Sequence, residues 1–292
     1  MKRFVAVLMA LTLVFTLAAC SEDGHITLTG GKGNSKSPTG STAPESVTPA
    51  DFDFGELSAE VNALIVQLQT QAPATDKKPG FQLEAPKEGE LIAVFDTSMG
   101  SIKARLFPEV APVSVANFLA LIGKKYYDGI IFHRVSKDFV VQGGDPTATG
   151  MGGEKGVKRS FEGTPNLQTF PLRGALSYAH SGKPAEATSQ FFIIQRIKPA
   201  DNVLTSVNML ETDGRYPKGI TQLYREHGGT PELDGTFNSQ NTFITFGQVF
   251  EGMDAVDKMN NVAVTPGTIG PNDGKPVQDI TINSVRVAKY TK

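Results

Sequence analysis

The chain has 292 residues, of which 28 are Lys or Arg and 30 are Asp or Glu, so its formal net charge is −2. This balance argues against a nucleic-acid binder, which would carry a basic face. The length suits one large domain or two small ones. Because Cys20 is the single cysteine, the chain cannot rely on internal disulfides and must be stabilised by its core.

The first nineteen residues have the pattern of a secretory signal peptide. Lys2 and Arg3 precede an almost unbroken apolar run at residues 4–18, which is shorter than the run of about 18 or more residues expected of a membrane span. The run ends in LAAC at residues 17–20, which resembles the lipobox of bacterial lipoproteins. That resemblance implies cleavage after residue 19, acylation of Cys20 and anchorage on the extracytoplasmic face of the cell membrane.

Two segments of different texture follow. Residues 20–50 are rich in Gly, Ser, Thr and Pro, so we interpret them as a flexible tether that carries the folded part away from the lipid. Residues 51–89 are interpreted as an N-terminal helical extension, because 56–71 shows apolar residues at helical spacing. The apolar positions of that stripe are Leu57, Val61, Leu64, Ile65 and Leu68. Such a stripe either packs on its own domain or binds a partner, and the sequence does not decide between the two.

Residues 90–292 are predicted to form one domain rich in β-strands. Eight short apolar runs are typical of strands, and two amphipathic stretches, 113–122 and 252–259, predict helices. The predicted strands are 91–97, 101–107, 130–135, 139–142, 175–179, 191–195, 243–249 and 280–288. We therefore predict a mainly β fold, a closed eight-stranded antiparallel barrel capped by two helices, because closure removes exposed strand edges. Residues 196–242 form an insertion without strand pattern, with a helix predicted at 217–227.

Three ordered motifs stand out within this domain. They are FHR at 132–134, FVVQGGD at 139–145 and SQFFI at 189–193, supported by GALSYA at 174–179 and FGQV at 246–249. In this order and spacing they resemble the signature of the cyclophilins, which are peptidyl-prolyl cis-trans isomerases. The resemblance covers about residues 91–287, and it implies a cyclophilin-like barrel and an isomerase activity.

The residue types suit that chemistry. Rotation about a peptide bond is resisted by about 18–20 kcal/mol, because the amide nitrogen shares its lone pair with the carbonyl, and Xaa–Pro isomers exchange slowly. A catalyst therefore needs no nucleophile, metal or cofactor. It needs an apolar pocket for the proline ring, a group that holds the preceding carbonyl, and a fixed cation aimed at the prolyl nitrogen. A guanidinium suits the last task because it stays charged and presents rigid donors.

The resemblance assigns a role to each site residue. Arg134 is implied to be the catalytic cation, and Gln142 to position Arg134 and the substrate carbonyl. The residues implied for the proline pocket are Phe139, Val140, Phe192, Leu233 and Phe243, and those for the rim that receives the residues before proline are Ala179, His180 and Gln190. Phe191 is expected to point to the opposite side of its strand, into the core. His133 is implied to be structural, since the reaction transfers no proton between heavy atoms.

Four positions depart from the family pattern. Val140 stands where many cyclophilins have Met, Phe243 where they have His, and His180 where they have Asn on the rim. Glu232 stands where eukaryotic members have a Trp whose indole donates a hydrogen bond to cyclosporin. An apolar pocket is retained, so we expect isomerase activity, but tight cyclosporin binding is doubtful.

These observations favour an exported isomerase that assists the folding of proteins at the outer face of the cell membrane. Its expected partners are proline-containing unfolded or exported proteins and, through the lipid, the membrane; no nucleic acid is expected. Two alternatives remain open from the sequence. One is a module that binds proline-containing peptides with little turnover, and the other is a surface adhesin in which isomerisation is incidental.

Overall fold

The structure is a computed structural model that describes residues 54–159, 168–239, 242–267 and 270–292. The predicted signal peptide at 1–19 and tether at 20–50, including the lipidation site Cys20, lie outside the described residues, as does the start of the helical extension. Within the described ranges, no helix combines the length and apolarity needed to cross a bilayer.

Five α-helices and ten β-strands are described. The helices are α1 (Phe54–Leu68), α2 (Pro112–Gly123), α3 (Asp201–Thr212), α4 (Ile220–His227) and α5 (Met253–Asn260). The strands are β1 (Leu91–Thr97), β2 (Gly100–Leu106), β3 (Arg134–Ser136), β4 (Val140–Gly143), β5 (Ala175–Tyr178), β6 (Phe191–Ile194), β7 (Thr245–Glu251), β8 (Val264–Pro266), β9 (Asp273–Pro276) and β10 (Ile282–Lys289). All eight predicted strands are present, whereas β8 and β9 were not predicted because their short Gly- and Pro-containing sequences carry no apolar alternation.

The strands form one antiparallel sheet in the order β10-β1-β2-β7-β5-β6-β4-β3-β9-β8. The predicted closed eight-stranded barrel is not confirmed, since the sheet has ten strands and β10 and β8 lie at its two ends. An isolated bridge joins Ile131, before β3, to Thr281, before β10. The mainly β antiparallel fold with helices packed on it is therefore as predicted, but closure of the sheet is not.

Helix α1 packs on its own domain. Val61 and Leu68 are buried in the main apolar core, and Leu64 and Ile65 are half-buried against it, while the side chain of Leu57 lies outside the described set. The opposite face of the helix is exposed, as at Val66. The predicted stripe thus attaches the N-terminal extension to the main apolar core.

The segment after α1 is also built into the domain. The buried side chain of Gln82 donates from Nε2 to the carbonyl of Phe170 at 3.0 Å and to Oε1 of Gln248 at 2.9 Å, and its Oε1 accepts from the Phe170 amide at 2.8 Å. A buried amide whose donor and acceptor are both satisfied holds two distant segments together. The extension is therefore part of the folded unit.

The insertion at 196–242 packs with Phe170 and Leu172 into a small apolar core separate from the main one. It contains α3, which was not predicted, α4, which begins three residues later than predicted, and a 3₁₀ turn at Pro231–Leu233. The buried members of this core are Phe170, Leu172, Leu204, Val207, Tyr216, Ile220 and Tyr224. Only two side chains of α3, Leu204 and Val207, are buried, so its sequence carries a weak helical stripe. Near its C-terminal end the insertion contributes Leu233 to a different apolar cluster, which also contains Val140 and Phe192.

Strand β6 separates two apolar clusters. Phe191 and Ile193 belong to the main core, whereas Phe192 and Ile194 belong to a smaller cluster on the other face of the sheet. Successive side chains of a strand point to opposite faces, which explains why this strand is buried along its whole length. Phe191 is fully buried in the main core, as predicted.

Candidate active site

Arg134, the first residue of β3, is held by two polar side chains. It donates from Nε and Nη2 to the two carboxylate oxygens of Asp273, at 2.9 and 2.7 Å, and from Nη1 to Oε1 of Gln142 at 3.1 Å. A two-point contact between arginine and a carboxylate fixes the plane of the guanidinium. Among the described residues these bonds engage three of the five N–H donors of Arg134, so two are left for another acceptor.

The antiparallel register explains this arrangement. Arg134 lies opposite Gln142 of β4, and Gln142 lies opposite Phe192 of β6. Directly opposed residues project from the same face of a sheet, so the three side chains form a row. On the other side of β3, Asp273 of β9 is paired with Ser136, which is two residues from Arg134 and therefore on the same face.

The row continues as a chain of hydrogen bonds in which each side chain donates to the next group, from Arg134 to the loop carbonyls. Gln142 donates from Nε2 to Oε1 of Gln190 at 3.0 Å, and Gln190 donates from Nε2 to the carbonyls of Gly150 and Gly152 at 3.0 and 2.7 Å. An arginine can only donate and a carbonyl can only accept. Both glutamine amides are therefore fixed in one orientation between these two ends.

The glycine-containing loop at the end of this chain is organised by Asp145. Its buried carboxylate accepts from the amides of Thr147, Gly150 and Gly152 at 2.7, 2.7 and 3.1 Å, and from the Thr147 hydroxyl at 2.7 Å. Burial alone would raise the pKa of Asp145, but these hydrogen bonds outweigh it and lower the pKa. The loop carbonyls that receive Gln190 are thus held in place by an ionised carboxylate.

An apolar cluster lies on the face of the sheet from which Gln142 and Phe192 project. Its buried members are Val140, Ala175, Phe192, Ile194 and Leu233, and its half-buried members are Phe139, Ala179 and Phe243. All five residues predicted for the proline pocket are in this one cluster. The rings of Phe192 and Phe243 meet edge to face, with centroids 5.4 Å apart, a favourable arrangement for two aromatic rings.

The predicted rim residues lie at this cluster, Ala179 as one of its members and His180 and Gln190 beside it. His180 stacks on Phe243 with ring centroids 4.3 Å apart, and its Nε2 lies 2.8 Å from the carbonyl of Thr242. Because a carbonyl only accepts, Nε2 carries the hydrogen of the neutral ring. Burial lowers the pKa of His180, which favours that neutral form. The amide of Ala179 donates to the carbonyl of Gln190 at 2.9 Å and so joins the two rim segments.

His133 is buried, and within the described part of the chain neither of its ring nitrogens has a hydrogen-bond partner. Burial lowers its pKa, the nearby charge of Asp145 opposes that shift, and the charge of Arg134 adds to it. A general base must be within hydrogen-bond reach of the proton that it takes. The setting of His133 therefore favours the structural role that the resemblance implies.

Asp273 is the main site residue that sequence reasoning missed. It lies 139 residues from Arg134 in the chain, in a short segment without a motif, so no local signal could have identified it. Ala175 and Ile194 of the apolar cluster were also missed. Ile194 could have been found from strand alternation, since it is two residues from Phe192.

Glu232, which stands where eukaryotic cyclophilins have a Trp, forms an ion pair at the edge of the apolar cluster. Its Oε1 lies 2.8 Å from Nη1 of Arg196, and the Arg196 guanidinium lies over the ring of Phe139, 5.5 Å from its centroid. A carboxylate is an acceptor only, so Glu232 cannot supply the donor that an indole would. Weak cyclosporin binding stays a prediction from this departure.

A cavity of about 400 Å³ lies elsewhere, between α1, α2 and β2, and residues such as Phe81, Arg105 and Leu119 line it. None of the predicted site residues is among its lining residues. In the described ranges, no group of three or more His, Cys, Asp or Glu side chains is placed to hold a metal ion.

Comparison with known proteins is consistent with this geometry. Residues 92–287 match the family model described as cyclophilin type peptidyl-prolyl cis-trans isomerase/CLD. A Staphylococcus aureus (strain COL) protein named "Putative peptidyl-prolyl cis-trans isomerase" is 43% identical over 201 residues, which are 69% of this chain and 93% of that protein. A protein of the same name from Staphylococcus epidermidis is 42% identical over the same shares of both chains.

A solved structure agrees as well. The crystal structure of a cyclophilin type peptidyl-prolyl cis-trans isomerase from Cryptosporidium parvum is 27% identical, with a TM-score of 0.50, and the match covers 68% of this chain and 98% of that chain. The family model spans more than half of the chain, and the staphylococcal relatives are covered almost completely. The chain therefore belongs to the family of cyclophilin-type peptidyl-prolyl cis-trans isomerases.

Proposed function

We propose that this protein catalyses the isomerisation of Xaa–Pro bonds in exported proteins at the outer face of the cell membrane, and that Arg134 stabilises the twisted amide. The observation that carries the proposal is the guanidinium held by Asp273 and Gln142, with two N–H donors that no described residue engages. Arg134 projects from the same face of the sheet as Phe192, a buried member of the apolar cluster, because both residues are in register with Gln142.

The proposed mechanism uses binding and electrostatics alone. The apolar cluster around Val140, Phe192 and Phe243 holds the proline ring, and Gln142 helps to hold the carbonyl of the preceding residue. As the bond twists, the prolyl nitrogen recovers its lone pair and becomes a hydrogen-bond acceptor for Arg134. That bond forms mainly in the transition state, so it lowers the barrier without tightening the ground state equally.

The rim is proposed to bind the residues that precede proline. Gln190 is fixed by its bonds to the loop and to Gln142, and Ala179 is tied to the Gln190 backbone. His180 is held flat on Phe243. An extended peptide that crosses this rim would contact side chains that are already held in one conformation. Less side-chain entropy of the protein is then lost when the peptide binds.

The activity is tested by measuring affinity and catalysis on one proline-containing tetrapeptide with the purified protein. We expect saturable binding together with faster cis-to-trans conversion, and little acceleration by Arg134→Ala. Binding without acceleration would instead identify a module that holds proline-containing segments.

The proposed location rests on the sequence of residues 1–50. A charged start, an apolar run and the LAAC sequence ending at Cys20 support export and lipid anchoring. Expression in a bacterium with labelled palmitate tests this directly. We expect label and membrane association for the native chain and loss of both for Cys20→Ala; an unlabelled native chain would refute the anchor.

A further inference from the structure

We propose that Asp273 is a positioning residue for Arg134, an inference that rests on the proposed isomerase function. Its carboxylate holds the guanidinium so that the remaining N–H donors face the prolyl nitrogen of the substrate. Asp273 lies outside every motif of the sequence, on a strand that the sequence did not predict. The short hairpin of β8 and β9 would then complete the catalytic site.

The contacts divide the guanidinium into held and free parts. Asp273 occupies the edge formed by Nε and Nη2, and Gln142 occupies one hydrogen of Nη1. One hydrogen on each terminal nitrogen stays available among the described residues. Because the two bonds to Asp273 lie in one plane, they set the direction in which these free hydrogens point.

Gln142 alone would hold Arg134 much less firmly. The arginine side chain has several rotatable bonds and loses considerable entropy when it is fixed. With one hydrogen bond left, the guanidinium could turn about that bond toward solvent, since 27% of the Arg134 side chain is exposed. Only 10% of the Asp273 side chain is exposed, so in this ion pair Asp273 is more enclosed than Arg134.

The backbone around Asp273 leaves little freedom. Asp273 and Gly274 are paired with Ser136 and Val135 of β3, and Gly274 is also paired with Pro266 of β8. A Cβ on Gly274 would collide with the carbonyl of Thr265, so the two strands of the hairpin approach each other closely. The carboxylate is thus attached to a strand whose position is fixed on both sides.

Asp273 is ionised at neutral pH. Burial alone would raise its pKa, but hydrogen bonds from Arg134 and Ser136 and the charge of Arg134 outweigh this and lower it. The Asp273→Asn variant keeps the shape of the side chain but offers one acceptor oxygen, and its NH₂ group would face an N–H of Arg134. This variant therefore removes the two-point contact with minimal change in volume.

The experiment compares Asp273→Asn with a matched control in the full chain. The control is Asp257→Asn, because Asp257 also makes a two-point contact with an arginine, Arg173, at the surface of α5. The two arginines are similarly exposed, 20% for Arg173 and 27% for Arg134, whereas Asp257 is 37% exposed and Asp273 10%, so the control matches the type of contact and not the enclosure of the carboxylate. kcat and KM for a proline tetrapeptide are measured for both variants, alone and combined with Arg134→Ala.

We expect Asp273→Asn to lower kcat about tenfold or more, as misplacement of a catalytic group does, with KM within about twofold because the apolar cluster is untouched. Asp257→Asn should leave both constants unchanged. In the Arg134→Ala background, Asp273→Asn should have no further effect, since the two residues act as one unit. An unchanged kcat, or the same loss in both backgrounds, would overturn the proposal.

The Nε–H signal of Arg134 in NMR spectra separates this proposal from the function on which it rests. Asp273 should slow the exchange of that hydrogen with water, and Asp273→Asn should remove the protection. Protection in the native protein without any isomerase activity would refute the proposed function while keeping the contact. Equal exchange in native protein and variant would refute the positioning role even in an active enzyme.

Discussion

Replacement of Gln142 by Glu tests the directed chain of hydrogen bonds at the site. Glu is nearly the same size and can still accept from Arg134, but it cannot donate to Oε1 of Gln190, which lies 3.0 Å away. Gln190 cannot turn its amide to compensate, because its Nε2 already donates to the carbonyls of Gly150 and Gly152. Two oxygens without a hydrogen between them would then face each other.

The expected magnitude follows from the number of bonds lost. One partly buried hydrogen bond disappears, and Oε1 of Gln190 loses its donor and faces a carboxylate oxygen instead, which costs about 1–3 kcal/mol. If that strain moves the side chain of residue 142 and with it Arg134, kcat/KM should fall by about 10- to 100-fold, at about 1.4 kcal/mol per factor of ten. The extra negative charge of Glu beside Arg134 does not restore the lost hydrogen bond to Gln190.

The assay is the rate of cis-to-trans conversion of a proline tetrapeptide, with unfolding measured in parallel. Gln82→Glu is the matched control, because Gln82 also donates to a glutamine Oε1, that of Gln248, outside the site. The side chain of Gln82 is buried and donates to the carbonyl of Phe170 as well. Gln82→Glu should lower stability and leave kcat/KM of the folded protein unchanged. Native activity in Gln142→Glu would refute the directed chain of bonds.

Three further predictions concern the pocket, the extension and a buried histidine. Phe192→Ala should raise the KM of a proline tetrapeptide about tenfold or more, because it removes a ring from the cluster proposed to hold the proline, and a single methylene in an apolar pocket is worth about 1–3 kcal/mol; an unchanged KM would place the proline elsewhere. Leu68→Ala should lower the free energy of unfolding by about 2–5 kcal/mol, whereas Val66→Ala, at an exposed position of the same helix, should have little effect; equal effects would mean that α1 is not docked. Burial lowers the pKa of His133, so the unfolded chain takes up a proton before the folded chain does as the pH falls below about 6.5. The free energy of unfolding should therefore decrease by up to about 1.4 kcal/mol per pH unit. In urea titrations from pH 7.5 to 5.5, His133→Gln should reduce this dependence of stability on pH, and an identical dependence in the variant would contradict the prediction.

Much of the fold was predictable because its signals are local. Strands such as β1, β2 and β6 carry apolar runs with the period of a strand, and α1 and α2 carry an apolar stripe. β8 and β9 carry neither signal: β9 pairs with β3, which is far away in the chain, and β8 pairs with β9. Whether the sheet closes depends on the register of its end strands, which strand patterns alone do not determine.

The site was predictable where it lies in motifs. Arg134, Gln142 and Phe192 belong to three short motifs, and strand pairing brings them into one row. The orientation of the glutamine amides could not be predicted, because it depends on the carbonyls of a distant loop. Asp273 could not be predicted either, since only the tertiary structure brings it to Arg134.

The most direct test of the central claim is the isomerisation rate of a proline peptide while it is bound, measured by NMR exchange at saturating enzyme. If Arg134 acts on the twisted amide, Arg134→Ala should bind the peptide within about threefold of the native affinity. It should isomerise the bound peptide at least about 100-fold more slowly, as expected for loss of a transition-state donor. A variant that isomerises bound peptide at the native rate would contradict the account.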